Sequence, residues 1–203
     1  MSTILKISNC AAILLAAGAS SRLGKPKQLL LYKGKTLLQN ALSAAFDAQL
    51  DPVIIVLGAD ESMIRSKADE KNIHIVYNSG WQEGIASSIR CGLKKLEKIA
   101  PNADAAILMV CDQPHITSSL LKNLFITQQQ TGKPIVASYY NDVAGTPALF
   151  HKNIFPELVL LKGDKGAGKI LRERTGSVAT IPFPLGAIDI DTTDNYEKLT
   201  SDI

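Results

Sequence analysis

Cysteine is scarce. The 203 residues hold three, Cys10, Cys91 and Cys111, unevenly spaced, with no C-x-x-C pair and no histidine at ligand spacing. That excludes a disulfide scaffold and a zinc ribbon, and it fits reduced thiols in a cytoplasmic protein. Histidine is equally thin: His74 alternates within the strand-like run from Ile73 to Tyr77, while His115 and His151 stand alone, which argues against a zinc centre or a catalytic triad. Aromatic residues make up 5% of the chain, too few for the stacking platforms of a single-stranded nucleic-acid binder, and a net charge of +3 is too small to mark a duplex-binding surface. The apolar run from Ala11 to Ala17 is far too short to span a membrane. Ala17-Gly18-Ala19 looks like a signal-peptidase site, but Lys6 alone is a poor n-region, and cleavage there deletes the first strand of a pattern that continues downstream.

Acidic residues are missing from the start of the chain, since all 19 follow Phe46. Up to that point Lys6, Arg22, Lys25, Lys27, Lys33 and Lys35 stand unopposed, which makes the N-terminal quarter an anion seeker. The far end has the opposite bias: Asp189, Asp191, Asp194, Glu197 and Asp202 face only Lys198. Asp194, Glu197 and Asp202 read as a solvated face. Asp189 and Asp191 lie in an apolar, strand-like pattern that puts them on one sheet face, where unpaired carboxylates are rare.

With 46% hydrophobic and 20% charged residues, the composition is that of a globular chain, neither disordered nor fibrous. The length suits one domain spanning residues 1–203, with about 70% of the extended chain's surface buried on folding. Strand and helix signals alternate throughout. Strands are expected at Ala11–Ala17, Val53–Leu57, Ile73–Tyr77, Ala105–Val110 and Ile135–Tyr139. Helices are expected at Thr36–Gln49, near Glu61–Glu70, and at Ile85–Ile99 and Ser118–Gln130, followed by a Pro/Gly-rich stretch through Gly145-Thr146-Pro147. The pattern implies a single-domain α/β fold with a mixed, mostly parallel sheet, helices on both faces, and a ligand site at the carboxyl ends of the strands.

The turn after the first strand carries the chemistry. Small residues from Leu15 to Ser21, followed by Arg22, Lys25 and Lys27, suit phosphate, because backbone N–H groups can approach its oxygens and the cations supply charge. It is not a Walker A loop: Gly18 and Gly24 enclose five residues and Pro26 follows Lys25. The Rossmann spacing is also absent. Asp112 follows the buried strand Ala105–Val110 directly, where a magnesium ligand belongs.

Leu15-Ala16-Ala17-Gly18-x-Ser20-x-Arg22-Leu23-Gly24-x-Pro26-Lys27-Gln28-Leu29-Leu30 resembles the signature of nucleotidyltransferases, and among them the molybdenum cofactor cytidylyltransferases and their MobA-like NTP transferase relatives. Asn78-x-x-Trp81-x-x-Gly84-x-x-Ser87-Ser88-x-Arg90, Cys111-Asp112-Gln113-Pro114, Gly145-x-Pro147, Gly163-Asp164-Lys165-Gly166-Ala167 and Asp189-Ile190-Asp191-Thr192 extend the likeness over nearly the whole chain. Cys111, Gly168 and Thr193 depart from the residues common at those places, a glycine, an arginine and a proline.

The resemblance implies an enzyme that binds an NTP, CTP in preference, with Mg2+. The phosphate of an acceptor, molybdopterin first, attacks the α-phosphorus and releases pyrophosphate; a molybdoenzyme is then a transient partner. Lys27 and Arg22 would hold the triphosphate as catalytic cations, with Leu15, Ala16, Ala17, Gly18, Lys25 and Ser88 binding nucleotide and Asp112 and Asp191 binding metal, Asp189 being the weaker choice for the second carboxylate. Trp81, Gly84, Asp164 and Lys165 would meet the acceptor, and Asp164 also reads as a helix-capping residue. No general base is needed, because a phosphate monoester is already anionic. The Leu-Ala-Ala-Gly form goes with cytidine and Leu-Ala-Gly-Gly with guanosine, so a methyl at Ala17 is expected to crowd a purine. Transfer to a sugar phosphate or isoprenoid alcohol phosphate is the alternative within enzymes, and a non-catalytic nucleotide-binding protein that delivers a cofactor is the alternative outside them.

Overall fold

The first apolar run forms β1 (Cys10–Ala16), with every residue buried. The computed structural model describes residues 9–68 and 73–201; Lys6, Asp202 and the last positions of the helix expected near Glu61–Glu70 lie outside them. After β1 come a two-residue ribbon, β2 (Leu31–Tyr32) and β3 (Lys35–Thr36), then α1 (Leu37–Asp47), β4 (Val53–Leu57), α2 (Glu61–Arg65), β5 (Ile73–Tyr77), α3 (Ile85–Ile99) and β6 (Ala105–Val110). The second half holds α4 (Ser118–Thr131), β7 (Ile135–Tyr140), β8 (Val143–His151), α5 (Phe155–Val159), α6 (Gly168–Glu173), β9 (Val178–Pro182) and α7 (Thr193–Ser201).

The main sheet runs β5-β4-β1-β6-β8-β7-β9. β5, β4, β1 and β6 are parallel neighbours, β8 is antiparallel to both β6 and β7, and β9 is parallel to β7. This is the expected mixed, mostly parallel α/β sheet. β1 shows why its sequence lacks a polar alternate: Ala12, Leu14 and Ala16 pack with α1 and α4, while Ala11, Ile13 and Leu15 pack with α3, α5 and α6. A strand covered on both faces has no solvent side to make polar. Gly92 lets α3 settle onto the sheet, since a Cβ there would stand 2.5 Å from Ile13 Cγ2. Thr36 starts α1 with a reciprocal capping box to Gln39.

Two expectations are corrected. The Pro/Gly-rich stretch through Gly145-Thr146-Pro147 is the middle of β8, turned back from β7 by Asn141 and Asp142, both at positive φ; the proline masks a strand that pairs with β7, directly before it, and with the distant β6. Asp189 and Asp191 do not lie on a strand, because residues 188–191 pair with no neighbouring chain. Their apolar pattern has another cause: Ile190 is fully buried in a small third cluster with Leu23, Leu30, Tyr32, Leu37 and Leu199. Its N–H donates to the Asp112 carbonyl at 2.9 Å. Thr192 and Asn195 then exchange side-chain-to-backbone bonds of 3.1 and 3.2 Å that start α7.

Candidate active site

The loop leaving β1 is held from within. Gln28 is almost wholly buried, and its Nε2 donates to the carbonyls of Ala16 at 2.9 Å and Gly18 at 3.2 Å. A planar trans peptide sets its N–H opposite its C=O, so drawing the Gly18 carbonyl toward Gln28 turns the Ala19 N–H away from it. Ser20, at positive φ, accepts the Lys27 N–H on its Oγ at 3.1 Å. The motif's polar residues thus shape the loop before any ligand arrives.

Lys27 brings the two biased ends of the sequence together. Its Nζ donates to Asp112 Oδ2 at 2.6 Å and to Asp191 Oδ1 at 2.9 Å, and Arg22 Nη2 donates to Asp191 Oδ2 at 2.8 Å. Asp112 comes from the end of β6; Asp191 is fixed beside it by the burial of Ile190. Side-chain exposures are 18%, 21% and 31% for Lys27, Asp112 and Asp191. Lys27 and Asp112 line the first of the two cavities beside them, whereas Asp191 and Arg22 line neither. Arg22, at 69%, is largely in water and contributes little as an ion pair. Burial alone would lower the Lys27 pKa, but Asp112, by charge and hydrogen bond, and then Asp191 outweigh it and raise the value. The hydrogen bond from Lys27, against an opposing burial effect, holds Asp191 below the usual carboxylate range, helped by the charges of Lys27 and Arg22.

Two cavities of about 420 Å³ each meet at Asp112. The first gathers Leu15, Ala16, Ala17, Gly18, Lys27, Trp81, Gly84, Ser88, Asp112 and Asp164, ten of the residues expected to carry function. The second is lined by Gln113, Tyr140, Asn141, Thr146 and Asp189 among others. Of these only Asp189 was a candidate, as the weaker metal ligand. Gln113 is buried and ties this second wall, donating to Tyr140 Oη at 3.2 Å and to the Gly186 carbonyl at 3.0 Å. Both partners arrive through long-range folding, which is why sequence pattern missed them.

Several expectations change here. Lys25 is absent from the first cavity's lining and sets its ammonium 5.6 Å from the Tyr196 ring centroid, a cation–π contact with α7. Lys165 is absent too, so three of the four expected acceptor residues sit instead beside the nucleotide loop. Asp164 caps nothing, because α6 begins four residues later without a side-chain cap. The Ala17 methyl lies against Gly58 and Trp81, where a Cβ on Gly58 would stand 2.8 Å from Ala17 Cβ and 2.6 Å from Trp81 Cβ; it is part of the core. Ser88 is buried within α3 and accepts from Asn78 Nδ2 at 3.1 Å. Burial and the Asp112 charge drive the Cys111 thiol pKa far up, so it is no nucleophile.

The two carboxylates fit a shared cation, since one Lys27 ammonium already reaches both. Among the described residues no group of three or more His, Cys, Asp or Glu could hold a metal. Magnesium matches such a sparse site, because it takes one or two carboxylates and completes its shell with phosphates and water.

A mixed, mostly parallel sheet with a small-residue loop after β1 and an acid after β6 is the frame of an α/β protein with a ligand site at the carboxyl ends of its strands. Residues 12–178 match the MobA-like NTP transferase domain, and the chain belongs to that family. It is similar to "Nicotine blue oxidoreductase" of Paenarthrobacter nicotinovorans, at 28% identity over 92% of this chain and 94% of that protein. It is also similar to the "Probable molybdenum cofactor guanylyltransferase" of Bacillus mycoides, at 24% over 68% and 71%. Rv0371c of Mycobacterium tuberculosis H37Rv superposes with a TM-score of 0.81 at 32% identity, covering 95% of this chain and 97% of that one. A manganese complex of Rv0371c gives 0.77 at 29%, covering 97% and 100%. No helix among the described residues is long and apolar enough to cross a membrane.

Proposed function

We propose that the protein is a cytoplasmic, metal-dependent nucleotidyltransferase that moves CMP from CTP to the phosphate of an acceptor, with molybdopterin-type cofactor as the acceptor class and a molybdoenzyme as its eventual recipient. The convergence of Lys27, Asp112 and Asp191 beside the β1 loop carries this reading. The NTP occupies the first cavity, its phosphates against the loop N–H groups, Lys27 and Arg22. The acceptor lies in the second, so that Asp112 stands between donor and acceptor. An acceptor phosphate oxygen forms the new bond to the α-phosphorus as the bond to the β,γ-pyrophosphate breaks. Asp112 and Asp191 hold a Mg2+ ion, which when bound neutralises charge on the phosphates. Lys27 then faces the leaving pyrophosphate, where a preorganised cation favours the charge that develops. The family membership, the resemblance of the Leu15–Leu30 loop and the similarity to a molybdenum cofactor guanylyltransferase support the acceptor class.

The deciding measurement is pyrophosphate release with Mg2+ across the four NTPs, with and without molybdopterin. Release that needs both CTP and molybdopterin is expected. Release with a sugar phosphate or an isoprenoid alcohol phosphate instead replaces the acceptor, and tight NTP binding with no turnover on any of them favours a delivery protein.

A further inference from the structure

The nucleotide cavity contains an acid that the phosphate chemistry does not use. Asp112 and Asp191 are paired with Lys27, and Glu83 with Arg90, but among the described residues the Asp164 carboxylate has no such partner. Its position is nevertheless built. Arg90 Nη1 donates to the Leu161 carbonyl at 2.7 Å, and the Ala86 N–H donates to the Gly163 carbonyl at 3.1 Å. Gly84 makes the approach possible: its φ of 114° is in the glycine region, and a Cβ there would stand 2.3 Å from Asp164 Oδ1 and 2.6 Å from the Gly163 carbonyl oxygen. Any side chain at 84 would push Asp164 off the cavity.

The sheet order says which part of a nucleotide meets it. β6, with Asp112, flanks β1 on one side; β4 and β5, leading to Trp81 and Gly84, flank it on the other. Phosphates held by Lys27, beside Asp112, would leave the nucleoside toward Trp81 and Ile85, apolar groups suited to a flat ring. We propose that Asp164 accepts a hydrogen bond from the exocyclic amino group of the base, so that the site takes amino-bearing bases and rejects uracil. This deepens the reading given under Proposed function and rests on it. A carboxylate only accepts. Cytosine, adenine and guanine each offer it an exocyclic N–H, whereas uracil has O4, a second acceptor, in place of the cytosine amino group and only its ring N3–H as a donor.

Calorimetric binding of CTP, UTP and 2′-deoxy-CTP with Mg2+, to the wild type and to Asp164→Ala and Asp164→Asn, tests the assignment. The wild type should bind CTP about tenfold or more tighter than UTP, the scale of one hydrogen bond to a charged group. Asp164→Ala should bring the two within about threefold. Asp164→Asn should gain affinity for UTP, because its amide can donate to O4, while the ratio of CTP to 2′-deoxy-CTP stays fixed. An unchanged CTP-to-UTP ratio in both variants overturns the proposal and leaves the nucleotidyltransferase reading intact, as does a loss of 2′-hydroxyl discrimination instead, which would assign Asp164 to the ribose. Wild-type protein that binds no NTP defeats both. Asp164 is exposed, so the thermal midpoints of the variants should match the wild type.

Discussion

The two flanks of the nucleotide cleft solve the same problem with opposite chemistry. On the β5 flank the network of Asn78, Ser87 and Ser88 is neutral, buried and satisfied within itself. Asn78 Nδ2 donates to Ser87 Oγ at 2.8 Å and to Ser88 Oγ at 3.1 Å, its Oδ1 accepts the Gly80 N–H at 3.0 Å, and Ser87 Oγ donates to the Gly84 carbonyl at 2.8 Å. On the β6 flank the single charge of Lys27 is shared between two carboxylates. The neutral flank is a finished wall against which a flat ring can rest, whereas the charged flank is a set of provisional partners. On the proposed reading, bound phosphate and metal would draw Lys27 to the anion and the carboxylates to the metal. The same three residues form a structural ion cluster without ligand and, on the proposed reading, would be the reaction centre with it.

The sharpest way to break the contrast is at the acids. Asp112→Asn should abolish turnover and remove the Mg2+ dependence of NTP binding, because an amide is a poor ligand for a hard cation. Asp191→Asn should do the same less completely. Calorimetry with and without Mg2+ reads this directly, and metal dependence unchanged in both variants would sink the two-aspartate site.

Lys27→Ala should lower turnover by roughly two to three orders of magnitude, the cost of a preorganised cation at a leaving group. It should also unmask the double role of the residue. Without the ammonium, Asp112 and Asp191 face each other uncompensated, so the variant should melt below the wild type in chelator, and Mg2+ should raise its melting point more than that of the wild type. Equal Mg2+ shifts in the two proteins would mean that the lysine does not stand in for the metal.

On the neutral flank, Asn78→Ala strands the Ser87 and Ser88 hydroxyls and the Gly80 N–H without their partner. It should cost about 1–3 kcal/mol of stability, measured by urea unfolding, while the Mg2+ response of the protein persists. The contrast with Lys27 follows what each kind of order leaves in a sequence. β1, β4 and β6 are legible because a strand covered on both faces must be apolar, and Asp112 because it follows such a strand directly. Lys27 and Gln28 stand out within the loop motif, although the role of Gln28 does not. β8 is hidden by Pro147, although its hairpin partner β7 directly precedes it and is legible. The Ile188–Asp191 segment imitates a strand because one buried isoleucine plugs a separate cluster. Lys25 reads as a phosphate ligand until α7 brings Tyr196 beneath it. Local periodicity records what lies under a strand; it does not record which distant loop arrives above the strand's end.

The smallest expected effect tests a specificity that the sequence places in one methyl group. If the Ala17 methyl pressed on the base, Ala17→Gly would open the site to purines and could shift the CTP-to-GTP ratio of kcat/KM by roughly ten- to two-hundredfold. In the structure that methyl is buried beside Gly58 and Trp81, so its removal mainly leaves a gap within that wall. The variant should lose about 1 kcal/mol of stability, the cost of a methyl-sized void. The wild type should prefer CTP, and the variant's preference should narrow by less than about threefold through a small resettling of Trp81. A tenfold change would return the methyl to direct contact with the base. A wild-type preference for GTP or ATP would remove the cytidylyl assignment while leaving nucleotidyl transfer in place, and it would move the choice among amino-bearing bases away from this loop to residues of the opposite flank.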